Sequence, residues 1–328
     1  MKRNLFRTLI AVSILFSSPA DASQTAEGIL NAVVKIRALV PKDAHTAETL
    51  GTEREGNGVI IDSKGHILTA GYLVVEAESI EVTGSEGRRV TATFIGYDHV
   101  TGFGLLRADK PLEVAPMKLG QSSAVKQGDP VLVAGYGGKD AVQAGRVLSR
   151  KEFAGYWEYL LEDAIFTIPV YPNFGGAALI DPEGRLLGIG SLFTQVAIQG
   201  VGSIPCNVFI PIDLLTPILN DLMTKGRQRA SRPWLGVNLE EAHGRIFITK
   251  LTPGGPAERA GLKVGDLILA ARGNAVNGLA DFYRKVWALG SAGVEVSLRF
   301  LRGTEILNIT VHSVDRYHFL LLKPKKVT

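Results

Sequence analysis

The chain has 328 residues, of which 46% are hydrophobic and 21% charged, a balance that excludes a disordered chain and leaves length for two or three domains. Its formal net charge of +4 comes with no dense Lys/Arg run, which argues against a nucleic-acid binder, and the cluster Lys323, Lys325 and Lys326 reads as part of a solvated tail. With 37 Gly and only 7% aromatics, many short strands and tight turns are favoured over long helices.

The N-terminus reads as a secretory signal. Lys2, Arg3 and Arg7 make a positive start, Leu9 to Phe16 is an apolar run too short to span a bilayer, and Ala20-Asp21-Ala22 is a small-residue cleavage site. Residues 1–22 are thus expected to be removed, leaving a mature chain from Ser23 with no stable membrane span, in the periplasm or secreted. Losing Lys2, Arg3, Arg7 and Asp21 leaves a net charge of +2.

From about residue 27 to 212, short β-type runs alternate with turns. The first group is Val59 to Ile61, His66 to Thr69, Ile80 to Thr83, Val90 to Tyr97 and Phe103 to Leu106. The second is Pro130 to Ala134, Ala144 to Leu148, Tyr159 to Ile168, Ala177 to Ile180, Leu186 to Ile189 and Val208 to Ile210. Two groups of similar size, each with Gly-rich turns, predict two packed barrels. The period then changes: Ile212, Leu215, Ile218, Leu219 and Leu222 recur at helical spacing, and Gly226 supplies a stop. Polar, basic residues 227–232 read as a linker. A compact segment, 233–318, has its own strands and an amphipathic helix over Leu279 to Leu289, and 319–328 reads as a basic tail.

Cys206 is the only cysteine, so neither an intramolecular disulfide nor a zinc site is available, and its apolar neighbourhood predicts a buried, inert thiol. No cofactor and no metal are expected.

Three stretches carry a resemblance. They are "GNGVIIDSKGHILTAGYLVVEA" (56–77), "GYDHVTGFGLLRA" (96–108) and "YPNFGGAALIDPEGRLLGI" (171–189). In order and separation they resemble the stretches around the catalytic His, Asp and Ser of the HtrA/Deg family of trypsin-like serine proteases, and 233–314 resembles the PDZ domain of the same family. The resemblance implies a mostly β chain: a trypsin-like double β-barrel over 23–226, followed by an α+β PDZ domain.

Residue by residue, the chemistry is altered. The His position falls at Tyr72 or Leu73, the Asp position at Gly102 and the Ser position at Phe174. A phenol is a poor base near neutrality, leucine is none, and neither glycine nor phenylalanine supplies the orienting carboxylate or the nucleophile. The resemblance also implies an oxyanion donor at Pro172, which has no N–H. Phe174 is expected to fill the cleft. Of the six histidines, His66 and His99 stand near these stretches and are expected at a turn or on the surface; Asp98 matches a turn Asp. On these grounds the chain is expected not to be an enzyme but a binding protein; the alternative is an active serine endopeptidase with a relocated site.

The PDZ segment keeps its working parts. "WLGV" (234–237) stands where the resemblance places the carboxylate-binding loop, with the amides of Leu235, Gly236 and Val237 facing water until a peptide arrives. Val237 to Leu239 would be the edge strand to which a peptide adds, with Phe282 and Val286 on the neighbouring helix. Trp234, Leu235, Gly236, Val237, Leu239, Phe282 and Val286 are the candidate peptide site. The expected partners are peptide C-termini or unfolded envelope proteins, with homo-oligomerisation open.

Overall fold

A computed structural model describes residues 25–200, 202–228, 231–320 and 322. The signal segment and the Lys323–Lys326 cluster lie outside them.

Helix α1 (Ala26–Asn31) leads into the first barrel, formed by β1 (Val33–Leu39), β2 (Glu53–Ile60), β3 (His66–Ala70), β4 (Ser79–Thr83), β5 (Arg89–Tyr97) and β6 (Phe103–Ala108), with α2 (Ala47–Leu50) between β1 and β2. These strands close in the order β1-β2-β3-β6-β5-β4. The second barrel uses β7 (Pro130–Ala134), β8 (Val142–Gly155), β9 (Tyr159–Ile168), β10 (Ala178–Ile180), β11 (Leu186–Ile198) and β12 (Gly202–Pro211), closing as β10-β11-β12-β9-β8-β7. Closure pairs the barrel portions of the strands on both sides, while β8–β9 and β11–β12 run on as hairpin arms. One buried cluster runs through both, including Ile36, Leu68, Phe103, Leu105, Phe166 and Ile210.

A 3-10 turn at Ile212–Leu214 and helix α3 (Leu219–Lys225) follow. The apolar stripe is the expected one, but the first half is turn rather than α-helix. Gly226 ends α3 in the left-handed region, the cap conformation glycine favours.

The third unit is a sheet ordered β13 (Val237–Ala242), β14 (Arg245–Leu251), β15 (Leu267–Ala271), β17 (Glu295–Arg302), β18 (Glu305–His312), with β16 (Asn274–Ala275) paired to β15. Helix α4 (Pro256–Ala260) and the amphipathic α5 (Leu279–Trp287) cover it, burying Leu279, Phe282, Tyr283 and Val286. Strand β13 is the edge of this sheet. Helix α6 (Arg316–Phe319) returns to the barrels.

That return bears on two expectations. Phe319, read as the first residue of a basic tail, packs its ring on Trp234 and on His45, and Leu320 is buried with Val75 and Tyr97. His99 stands in a turn, as one of its two expected places, but a buried one: it is 6% exposed, its ring stands edge-on to Tyr317, and its backbone N–H donates to the Tyr317 hydroxyl at 3.1 Å. Burial, with Arg316, Arg232 and Arg227 nearby, pushes the His99 imidazole down to about 3. A base depressed in the fold resists protonation there, so the stability tied to it is complete above pH 6.5 and falls as pH drops below that value. Relative to His99→Asn, the wild-type chain is therefore expected to lose about 2 kcal/mol between pH 7.5 and pH 5, at 1.36 kcal/mol per pH unit. Urea unfolding of both proteins at the two pH values checks this. Parallel losses would show that His99 titrates normally.

Candidate functional site

The candidate residues fall in two places: the cleft between the barrels and the groove beside β13.

In the cleft, β3 ends in a 3-10 turn over Gly71–Leu73. The Gly71 N–H donates to the Gly102 carbonyl at 2.7 Å, which places the two turns side by side. Leu73 is buried and points toward Gly56, whereas the Tyr72 hydroxyl points to the loop after β9: a Cβ on Gly175 would lie 2.7 Å from it. Between the two candidates for the His position, Tyr72 therefore faces the loop. Burial pushes its phenol up to about 12, so near neutrality it stays protonated. Gly102 has φ +87°, and a Cβ there would meet the Tyr159 hydroxyl at 2.7 Å. That hydroxyl donates to the Thr101 carbonyl at 2.6 Å. Tyr159 thus takes the space that a side chain at 102 would enter.

The loop at 171–177 is held by Asn57. Its Nδ2 donates to the carbonyls of Asn173 at 2.8 Å and Gly175 at 3.1 Å, its Oδ1 accepts from Tyr136 N–H, and its own N–H donates to Gly175 O at 2.8 Å. Phe174 is half-buried in this loop, between exposed Pro172 and Asn173 and the buried Gly176. Asp98 accepts from the Thr101 N–H and hydroxyl, the turn role expected of it. His66, expected at a turn or the surface, is buried and caps its turn through Asp62 at 2.6 Å. Cys206 is buried, and burial pushes its thiol up.

Beside β13, the loop before the strand does present three amides to one acceptor. Leu235 N–H donates to Glu158 Oε2 at 2.9 Å, and Gly236 and Val237 N–H donate to Glu158 Oε1 at 2.8 and 3.1 Å. The expectation that they face water is therefore corrected: they hold a carboxylate from the tip of the β8–β9 hairpin. Glu158 is 5% exposed. Burial raises its carboxyl to about 6, with the three amides pulling the other way. Trp234 does not join them: its N–H donates to Val314 O, and its ring packs on Phe319. Leu239, Phe282 and Val286 all turn into the domain core, leaving the backbone N–H of Leu239 at the strand edge, where it donates to Tyr156 O at 2.8 Å. Gly236 has φ +78°.

Sequence reasoning missed Glu158. It sits in an aromatic hairpin tip, Tyr156-Trp157-Glu158-Tyr159, and nothing local signals a partner 77 to 79 positions away.

Two closed barrels followed by a small sheet flanked by helices define a trypsin-like peptidase domain joined to a PDZ domain. Comparison with known proteins agrees: residues 56–189 match the trypsin-like peptidase domain family, and residues 233–312 match the PDZ domain family. The chain is 29% identical over 273 residues to a probable periplasmic serine endoprotease DegP-like of Pseudomonas putida, covering 78% of this chain and 55% of that protein. It is 28% identical over 267 residues to a probable periplasmic serine protease do/HhoA-like of Haemophilus influenzae, covering 75% and 55%. Among solved structures it superposes on the HtrA-type protease AlgW with decapeptide, at a TM-score of 0.54 and 24% identity over 89% of this chain and 98% of that one. The chain is similar to HtrA/Deg proteases across both domains, and spans about half the length of the curated relatives it matches.

These relatives also correct the expectation that the chain is not an enzyme. They are named as serine endoproteases and serine proteases, so the similarity points to proteolysis rather than to its absence. No helix among the described residues is long and apolar enough to cross a membrane.

Proposed function

We propose that this chain is a periplasmic member of the HtrA/Deg serine protease family that captures peptide or protein C-termini on its PDZ domain. The observation that carries the reading is the convergence of Leu235, Gly236 and Val237 N–H on one carboxylate beside the edge strand β13. Charge-assisted bonds from an amide cluster at a strand edge suit a chain terminus, whose backbone then continues along the edge. The relatives' names support the compartment.

The test is a screen of C-terminal peptides against the full mature chain, followed by titration of the best hit as free acid and as amide. Amidation removes the charge, and affinity is expected to fall about tenfold or more, equivalent to roughly 1.4 kcal/mol. Equal affinities would mean that the amides do not read a terminal carboxylate.

A second reading, peptide-bond cleavage, is favoured by the names of the relatives. In the arrangement proposed for this chain, Tyr72, Gly102 and Phe174 stand where the family's triad stands and Pro172 at an oxyanion donor, so cleavage would use a nucleophile elsewhere. Casein digestion by the purified chain, with mass-spectrometric mapping of any residue labelled by a fluorophosphonate, tests this directly. Digestion without a labelled residue in this chain would remove it.

A further inference from the structure

The occupant of the PDZ groove is the chain itself, and its geometry is that of a ligand rather than of a chance contact. Glu158 offers two carboxylate oxygens to three amides, as a chain terminus does. Two residues back in the hairpin, Tyr156 O accepts from Leu239 N–H at 2.8 Å, two residues further along β13 than Val237. The tip therefore runs antiparallel to the edge strand and takes one of the main-chain bonds that an added strand takes. On the other wall of the groove, the Tyr283 hydroxyl donates to Gly155 O at 2.7 Å and accepts from Glu158 N–H at 3.2 Å. From the same helix, Arg284 pairs with Glu152 and Glu162 on the two strands of the hairpin. Glu158 adopts φ +57° to present its side chain in this way, a conformation uncommon for a residue with a Cβ.

We infer that the hairpin tip 156–158 is an internal ligand of the carboxylate loop, so that a free C-terminus binds this PDZ domain only by displacing Glu158. This rests on the proposed reading of that loop as the peptide site. The three amides cannot serve two carboxylates at once, so tip and peptide exclude each other. A site competent only when the tip is undocked binds its ligand more weakly by the undocked fraction. The tether also keeps the competing carboxylate at a high local concentration, which a soluble peptide must outcompete.

The experiment uses the full mature chain as wild type, Glu158→Ala, Glu158→Asn and Tyr283→Phe. The asparagine tolerates the left-handed backbone but is one methylene too short. The Tyr283→Phe change keeps the core ring and removes only the hydroxyl. Thermal unfolding and the exchange of the Phe282 and Val286 amides confirm that each variant is folded. Hydrogen exchange at Leu235, Gly236 and Val237, measured without peptide, reads occupancy alone. It is expected to quicken at least tenfold in both Glu158 variants and about threefold in Tyr283→Phe. The best free-acid peptide of the screen is expected to bind both Glu158 variants at least tenfold more tightly than wild type.

Unchanged exchange at the three amides in folded Glu158 variants would overturn the inference. So would quickened exchange with unchanged peptide affinity, since tip and peptide would then not compete. The peptide reading itself fails differently: exchange quickens, yet no variant binds any peptide, and the gate falls with it.

Discussion

Gly176→Ala is expected to destabilise the chain by roughly 4 kcal/mol, at the top of the range for single substitutions, and to lower the melting temperature by about 10 °C or more. Gly176 has φ +74°, and a Cβ there would sit far inside contact distance of the Asn57 carbonyl carbon and oxygen and close to the Thr69 hydroxyl. None of these atoms is the free end of a flexible side chain. The Asn57 carbonyl accepts from Thr69 Oγ1 at 2.6 Å, and the Asn57 side chain holds the carbonyls of Asn173 and Gly175. On its other side, the Gly176 N–H donates to Gly190 O at 2.8 Å, tying the loop to β11. The methyl group therefore meets packed backbone on one side while the φ strain adds its own cost. Calorimetry checks the outcome. A loss of less than 1 kcal/mol would mean that the loop at 171–177 shifts easily and is not fixed by Asn57.

Arg54→Met is expected to cost about 4 kcal/mol, the size typical of removing one partner from a buried charge network. Arg54 is 4% exposed on β2. Its guanidinium donates to the carbonyls of Gly51, Tyr72 and Val75 at 2.8 to 3.1 Å and to Thr46 Oγ1 at 2.8 Å. Glu76 faces it and accepts from Thr46 N–H at 2.7 Å. Burial lowers the Arg54 guanidinium to about 10, with Glu76 opposing that shift. Methionine fills much of the volume but offers no donor, so the buried carbonyls of Tyr72 and Val75 lose their bonds and Glu76 loses a facing cation. Because Tyr72 O is among the acceptors, the turn over Gly71–Leu73 should loosen as well. Urea denaturation gives the stability, and exchange at the amides of Val74 and Val75 gives the local effect. A neutral result would place the weight of this turn elsewhere.

Much of the fold was legible because its strands follow simple patterns. His66 to Ala70, Pro130 to Ala134 and Tyr159 to Ile168 are compact apolar runs next to Gly- or Asp-containing turns, and each emerges as a strand. Strand β1 was missed, although Val34, Ile36 and Ala38 alternate inward with Lys35, Arg37 and Leu39 outward: the interleaved cations Lys35 and Arg37 broke up an otherwise apolar run. Strand β11 was cut short at Ile189 for a related reason. Its continuation through Thr194 and Gln195 to Ile198 pairs with β12 as far as Gly202, in a hairpin arm where exposed Phe193, Gln195 and Ala197 alternate with buried or partly buried residues. Long arms of this kind are set by pairing between strands, which a local pattern does not contain.

The site shows the same division. Gly236 and the edge strand after it were legible through the resemblance that "WLGV" carries, and the strand is there at the sheet edge as β13. The role of Trp234 was not, because its ring is claimed by Phe319, 85 positions on, in a segment that composition alone marks as a tail. Glu158 was out of reach altogether. Its pairing with Leu235–Val237 is a product of how the hairpin and the PDZ sheet pack, and a single acidic residue among aromatics carries no trace of it.

On the proposed reading, the amides of Leu235, Gly236 and Val237 form the carboxylate site of a C-terminus-binding PDZ domain. The most direct measurement is amide resonance mapping of the full mature chain, titrated with one peptide as free acid and as C-terminal amide. The free acid is expected to shift the Leu235, Gly236, Val237 and Leu239 signals, and the amide at equal concentration to shift them by a small fraction of that. Equal shifts from both peptides, or shifts confined to residues away from β13 and its preceding loop, would contradict it.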